Sequence, residues 1–111
     1  MSRRFVIRKA ARRDIRIARK WYDDQTLGLG DRFFLELLRV FRDIHANPLS
    51  FPEVRSGARR AVLKKFPYSV FYLVDDFSIV VVVVVHHSRD DDSWESRLDK
   101  ELGRENDEPD D

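Results

Sequence analysis

The spacing of apolar residues changes period along the chain, and each change marks an element. Phe5 and Ile7, flanked by Arg3, Arg4, Arg8 and Lys9, predict a short first strand. Ala11, Ile15, Ala18 and Tyr22 then recur at steps of four, three and four. They share one face of a helix, and Arg12, Arg13, Arg16, Arg19 and Lys20 populate the rest. That helix should stop near Leu27-Gly28-Leu29-Gly30, where glycine tolerates a left-handed turn. Asp31 is the expected N-cap of a second helix, in which Phe33, Phe34, Leu37, Leu38, Phe41 and Ile44 form a broad apolar stripe. Asn47-Pro48 ends it, because proline disfavours helical geometry in the residue before it. Leu49 to Val54 reads as a loop pinned by Phe51.

The second half changes to strand patterns, expected over 59–66, 68–75 and 79–87. In the first of these Arg60, Val62, Lys64 and Phe66 alternate with Arg59, Ala61, Leu63 and Lys65, so cations occupy both faces. Such a strand lies at a sheet edge or lines a polar groove. The last strand, Ile79 followed by Val80 to Val85, is apolar on both sides, which marks a central strand. Asp75 to Ser78 connects the second and third as a hairpin. A short terminal helix from about Ser93 to Leu102 would align Trp94, Leu98 and Leu102. The fold expected is α+β in two layers: an N-terminal strand, a helical hairpin, then a mostly antiparallel three-strand segment completing a four-stranded sheet, and the C-terminal helix.

Charge adds a segregation that the net value of +1 conceals. Residues 1–89 carry 18 Lys+Arg against 9 Asp+Glu, a net of +9, and residues 90–111 carry 3 against 11, a net of −8. A body that basic attracts polyanions or an acidic partner. The division expected is a folded domain over 1–97 and an acidic, disordered tail over 98–111. At 111 residues without cysteine, one core is the limit, and thiolate metal sites, disulfides and thiol catalysis are excluded. No signal peptide, membrane anchor, cofactor motif or metal set is legible, so a cytoplasmic protein without cofactor or small-molecule substrate is expected. His86 and His87 should project to opposite faces of their strand, which prevents joint metal ligation. His45 is best explained by the dipole at its helix's C-terminus. Trp21, Phe33, Phe34 and Phe41 are expected in the core.

The series Asp14-Ile15, Ala18, Trp21-Tyr22, Gly28-Leu29-Gly30, Phe33, Ile44, Asn47-Pro48, Phe51-Pro52, Arg59-Arg60, Phe66-Pro67-Tyr68, Tyr72, His86, Arg89, Trp94 and Arg97 resembles the RelE/ParE family of bacterial toxins over roughly residues 3–97. The resemblance implies a growth-arresting toxin of a type II toxin–antitoxin pair, of the kind tied to plasmid stabilisation, held inactive by a cognate antitoxin. It also implies one of two targets: DNA gyrase, inhibited by contact in the ParE branch, or messenger RNA on the ribosome, cut in the RelE branch. A degenerate member that keeps only antitoxin binding is a third outcome, permitted by the valine run and by Asp90-Asp91-Asp92.

RNA cleavage through the ribose 2′-OH requires a base, an acid and cations around the phosphate. Arg59, Arg60, Lys64, Lys65 and Arg89 supply cations, and with Arg12 and Arg16 they are the expected contacts for target or antitoxin. Proton-transfer groups are scarcer, because the residues after Arg89 are acidic and would repel a phosphate. Should the chain be a ribonuclease, Arg60, Lys64, Arg89, His87 and Tyr68 are the candidate catalytic set. The scarcity ranks contact inhibition of gyrase first.

Overall fold

The computed structural model describes residues 2–88 and 93–103. In chain order they form β1 (Arg4–Ile7), α1 (Lys9–Gln25), α2 (Leu29–Ala46), β2 (Glu53–Arg55), β3 (Ala58–Val62), β4 (Tyr68–Val74), β5 (Ser78–His86) and α3 (Trp94–Gly103). The strands make one sheet in the order β1-β5-β4-β3-β2. β1 runs parallel to β5 and every other pairing is antiparallel. The expected α+β architecture is present, with β5 near the centre. Helices α1 and α2 pack on one face through Ile15, Tyr22, Phe33, Leu37 and Ile44, and these residues meet Tyr68, Val70, Tyr72, Ile79, Val81 and Val84. Helix α3 covers the other face, where Leu98, Trp94 and Leu102 meet Phe71, Val82, Val83 and Val85. The sheet is thus covered on both sides, one layer more than the two expected.

A β-bulge explains how so uniform a strand serves both layers. Phe71 lies opposite Val83 and Tyr72 opposite Val81, so Val82 is the extra residue of β5. Strict alternation breaks there. Val82 and Val83, although adjacent, both enter the α3 layer, and Val81 and Val84 both enter the α1–α2 layer. All four are at least 98 % buried, and each stabilises the fold by roughly 1.5–3 kcal/mol.

Three boundaries differ from the sequence pattern. The sheet has five strands, because Glu53–Arg55, whose first two residues belong to the expected loop, pairs with β3. Ser56 (φ 53°) and Gly57 (φ 84°) make the two-residue turn between them; positive φ at both positions is the type I′ geometry that matches strand twist. Strand β3 ends at Val62 and not at Phe66, since the backbone N–H of Lys64 turns away to donate to Glu36 Oε2 at 2.9 Å. Helix α2 starts at Leu29 after Gly28 in left-handed geometry (φ 90°), so Asp31 lies inside its first turn and is not its N-cap. There Asp31 favours the helix dipole and accepts from Arg19 at 2.7 Å. The division expected at residue 97/98 falls within α3, where Leu98 is fully buried; residues 104–111 lie outside those described.

Polar side chains close the remaining joints. Asp75 Oδ1 accepts from the backbone N–H groups of Phe77 and Ser78, both at 2.8 Å. This Asx turn replaces the missing glycine of the β4–β5 hairpin, and it holds the Asp75 carboxyl below its ordinary pKa. Arg55 makes two 2.8 Å bonds to Asp99, tying β2 to α3. His45 Nε2 lies 2.9 Å from the Arg3 carbonyl and 3.2 Å from Ser2 Oγ, joining the end of α2 to the start of β1. Phe51 is half-buried against the core, as expected of a pin. Tyr72 donates to the Pro48 carbonyl from a fully buried position.

Burial raises the Tyr72 pKa to about 12, and nearby Arg59 opposes the shift. The folded state therefore favours neutral Tyr72. Its contribution is complete below the unfolded value near pH 10 and is lost as pH rises towards 12, a span of about 3 kcal/mol. Urea titrations at rising pH should show Tyr72→Phe less stable than wild type at neutral pH, with the difference shrinking above pH 10. A constant difference would mean that the hydroxyl ionises freely in the folded protein.

Candidate functional site

Adjacent residues of β3 and β4 are sent to opposite faces, and this sorts the candidate residues into two groups. Arg60 lies opposite Phe71 on the α3 side, and Arg59 opposite Tyr72 on the α1–α2 side. Arg59 Nη1 donates to the carbonyls of Phe51 (2.7 Å) and Leu49 (3.3 Å) and thereby holds the loop before β2. Tyr68 is 4 % exposed and packs against Tyr22, Phe33 and His86. Neither Arg59 nor Tyr68 shares a surface with Arg60.

Arg60 instead belongs to a polar chain that runs from β3 through β4 to the residue after β5. Its Nε donates to Ser69 Oγ at 2.9 Å, and Ser69 Oγ lies 2.9 Å from His87 Nε2. With Arg60 as donor, the network closes when the Ser69 hydroxyl donates to Nε2 and the imidazole proton sits on Nδ1. Ser69 is buried, 1 % exposed, and His87 is exposed. The Arg60 guanidinium carbon lies 5.7 Å from the Trp94 ring centre and 5.8 Å from that of Phe71, and those two rings stack at 5.0 Å. Each contact contributes about 0.5–1 kcal/mol of cation–π attraction. The Arg60 Nη groups make no hydrogen bond to the described residues, so among these the guanidinium is held by its Nε bond to Ser69 and by the two rings.

The other candidates are dispersed. Lys64 and Lys65 sit exposed on the β3–β4 turn. Arg12 and Arg16 are exposed on the outer side of α1. Arg89 lies outside the described residues. His86 and His87 do face opposite sides, the first with Tyr68 and the second with Ser69.

A second feature lies where β1 ends. Strand β1 covers β5 only as far as Val81, and α1 then runs beside the uncovered part. Asp14 Oδ2 accepts from the backbone N–H of Val84 at 3.0 Å, satisfying the open strand edge. Arg97 of α3 donates to both Asp14 oxygens at 2.9 and 3.0 Å. Beside this pair opens a cleft of about 210 Å3 walled by Ile17, Ala18, Trp21, Tyr68 and Val84. Trp21, expected in the core, is 39 % exposed, and Ile17 is 59 % exposed. Helical spacing placed Ile17 with the polar residues of α1, and only its pairing with Trp21 four residues on hinted at an apolar strip.

Residues 5–91 match the family model for the ParE toxin of the parDE type II toxin–antitoxin system. The chain belongs to the ParE toxin family, within the RelE/ParE group. As such it is a toxin of a RelE/ParE-family type II toxin–antitoxin system. Solved structures agree on the fold. The chromosomal ParDE system of P. aeruginosa contains a chain with a TM-score of 0.69 at 13% identity, covering 77% of this chain and 96% of that one. A mutant of the E. coli toxin RelE in the free state gives 0.66 at 15% identity, covering 94% and 98%. No curated protein matches by sequence. Among the described residues no helix is long and apolar enough to cross a membrane.

Proposed function

We propose that this ParE-family toxin inhibits DNA gyrase by contact and is kept inactive by a cognate antitoxin. The observation that carries the reading is the company of Arg60. Cleaving RNA at the 2′-OH takes one group to accept a proton and another to deliver one. Beside Arg60 stand Ser69, His87 and two aromatic rings. Ser69 is buried, and Tyr68 points to the opposite face. Among the described residues bonded or stacked in the Arg60 network, that leaves His87 as the single exposed proton-transfer group. A contact inhibitor needs none.

The reading is tested by a supercoiling assay with purified gyrase. Wild-type chain should abolish supercoiling and lose that effect when the antitoxin is added. Arg60→Ala and Lys64→Ala should inhibit at least about tenfold less well and keep native circular dichroism; loss of the exposed Lys64 should change stability by about half a kcal/mol or less, and Arg60→Ala, which gives up the Ser69 bond and both ring contacts, by about 1–3 kcal/mol. Unchanged supercoiling at excess toxin would overturn it.

A second reading, ribosome-dependent cleavage of messenger RNA, draws on the same chain of bonds. Arg60 would hold the phosphate, and His87 would act as base in its other tautomer, with Nε2–H donating to Ser69 Oγ and Nδ1 free to take the proton. Transcript cuts that need ribosomes and vanish in His87→Ala would favour it. Neither effect on gyrase nor cuts, with antitoxin binding retained, would identify a degenerate member.

A further inference from the structure

We propose that Glu36 is a positioning residue for target recognition: from between α2 and the β3–β4 turn it holds Arg39 and Lys64 as a paired cationic contact for an acidic surface of gyrase. The contact belongs to the gyrase interface proposed above and rests on that reading. Glu36 is only 5 % exposed, an uncommon place for an acid, because taking a carboxylate out of water is costly unless partners compensate. Its two oxygens have separate partners. Oε2 accepts from the backbone N–H of Lys64 at 2.9 Å, and Oε1 accepts from Arg39 Nη1 at 3.4 Å.

The turn does not need this acid in order to close. Leu63 N–H donates to the Tyr68 carbonyl at 3.0 Å, His87 N–H donates to that of Pro67 at 2.8 Å, and the Phe66 ring packs on Tyr22 and Phe33. Lys64 and Lys65 stand exposed between these anchors. What Glu36 adds is local: it fixes the backbone of Lys64 and draws the exposed Arg39 side chain to the same carboxylate. A neutral acceptor would serve the Lys64 N–H alone, so the charge of the acid is accounted for by Arg39. A buried anion also offsets the repulsion between cations gathered on either side of it.

Charge and apolar surface together select the partner. Leu35 lies one turn before Arg39 on α2 and Leu38 immediately before it, and they expose 64 % and 40 % of their surface. A nucleic acid would use the cations and leave both leucines in water. An acidic protein surface covers both kinds of group, with the apolar centre and charged rim of protein interfaces, and complementary charge speeds the encounter.

The test titrates purified gyrase, free of DNA, with the full chain by isothermal calorimetry and repeats each variant in the supercoiling assay. Arg39→Ala, Lys64→Ala and Glu36→Ala should each weaken binding about tenfold. Glu36→Gln, whose amide oxygen still accepts from Lys64, should stay within about threefold of wild type. Lys100→Ala, which removes an exposed cation of α3 across the sheet, should change nothing. A double variant separates positioning from folding. Lys64→Ala added to Glu36→Ala should weaken binding no further, because the acid acts through that lysine, whereas a merely structural role gives two factors that multiply. Wild-type affinity in Arg39→Ala and Glu36→Ala, or multiplying factors in the double variant, would overturn the proposal and leave gyrase inhibition standing. If Glu36→Ala loses native circular dichroism, Arg39→Ala decides alone. Inhibition that depends on these cations while binding to DNA-free gyrase does not would assign them to nucleic acid and overturn the proposal. Neither binding nor inhibition by the wild-type chain would overturn the gyrase reading together with it.

Discussion

Gly30→Ala is expected to unfold this toxin at temperatures where the wild type is intact. A Cβ at position 30 would lie 2.4 Å from the backbone oxygen of Arg19 and 2.8 Å from the Asp23 side chain. Atoms do not approach so closely, and the nearer one is main chain of α1, which cannot rotate away. Its N–H also donates to Asp23 Oδ1 at 2.8 Å, so Gly30 is clamped from two sides. The helices would have to separate at the turn, opening the contact of Tyr22 with Phe33. Overpacking of this kind costs roughly 1–3 kcal/mol, and backbone displacement puts it at the upper end. At about 2–8 °C per kcal/mol for domains of this size range, the midpoint of thermal unfolding should fall by roughly 10–20 °C. Gly28→Ala provides the contrast. No atom lies within 4 Å of its added Cβ, and only its positive φ is strained, for a loss of about 1 kcal/mol. Equal midpoints for the two variants would show that the helical hairpin is not packed as tightly as its backbone geometry requires.

Asp14→Ala should have the second-largest effect and should act on the far side of the sheet from where it is made. The carboxylate serves α1, β5 and α3 together, taking the Val84 N–H and the Arg97 guanidinium. Both partners of the ion pair are shielded, Arg97 to 18 % and Asp14 to 14 % side-chain exposure. Removing the acid leaves an unsatisfied amide and a partly buried cation, a loss of about 3 kcal/mol. Arg97→Ala should lose less, about 1 kcal/mol, because the Val84 amide keeps its acceptor. Hydrogen exchange separates the two: the Val84 amide should exchange much faster in Asp14→Ala and near the wild-type rate in Arg97→Ala. Trp94 fluorescence should shift to the red in both if α3 loosens. Slow exchange of Val84 in Asp14→Ala would mean that water or another group satisfies that strand edge.

Most of the elements are legible in the chain, because each depends on short-range patterning. The four-three-four recurrence on α1, the stripe of α2 and the proline after Asn47 act within one or two turns of helix, and the run from Ile79 to Val85 declared a strand buried on both sides. Family membership was legible for the same reason, as an ordered series of local motifs. The β2–β3 hairpin carries a local signal as well, since Ser56-Gly57 between Val54-Arg55 and Ala58-Arg59 is a two-residue turn. The remainder was decided only in three dimensions. Six consecutive valines cannot reveal a register, since shifting them by one residue changes nothing in the pattern, so the bulge at Val82 exists only in the pairing with Phe71 and Tyr72. The same holds for the site. Arg59 and Arg60 read as equal cations until β4 fixed which faced the loop carbonyls and which met Ser69 and His87. Ile17, Trp21, Asp14 and Arg97 come from two helices separated in sequence by α2 and four of the five strands, and they form one cleft because β1 is too short to cover β5. Local propensity acts over a few residues, but clefts and hydrogen-bond chains are made by contacts between distant ones, and those follow from the packing of layers.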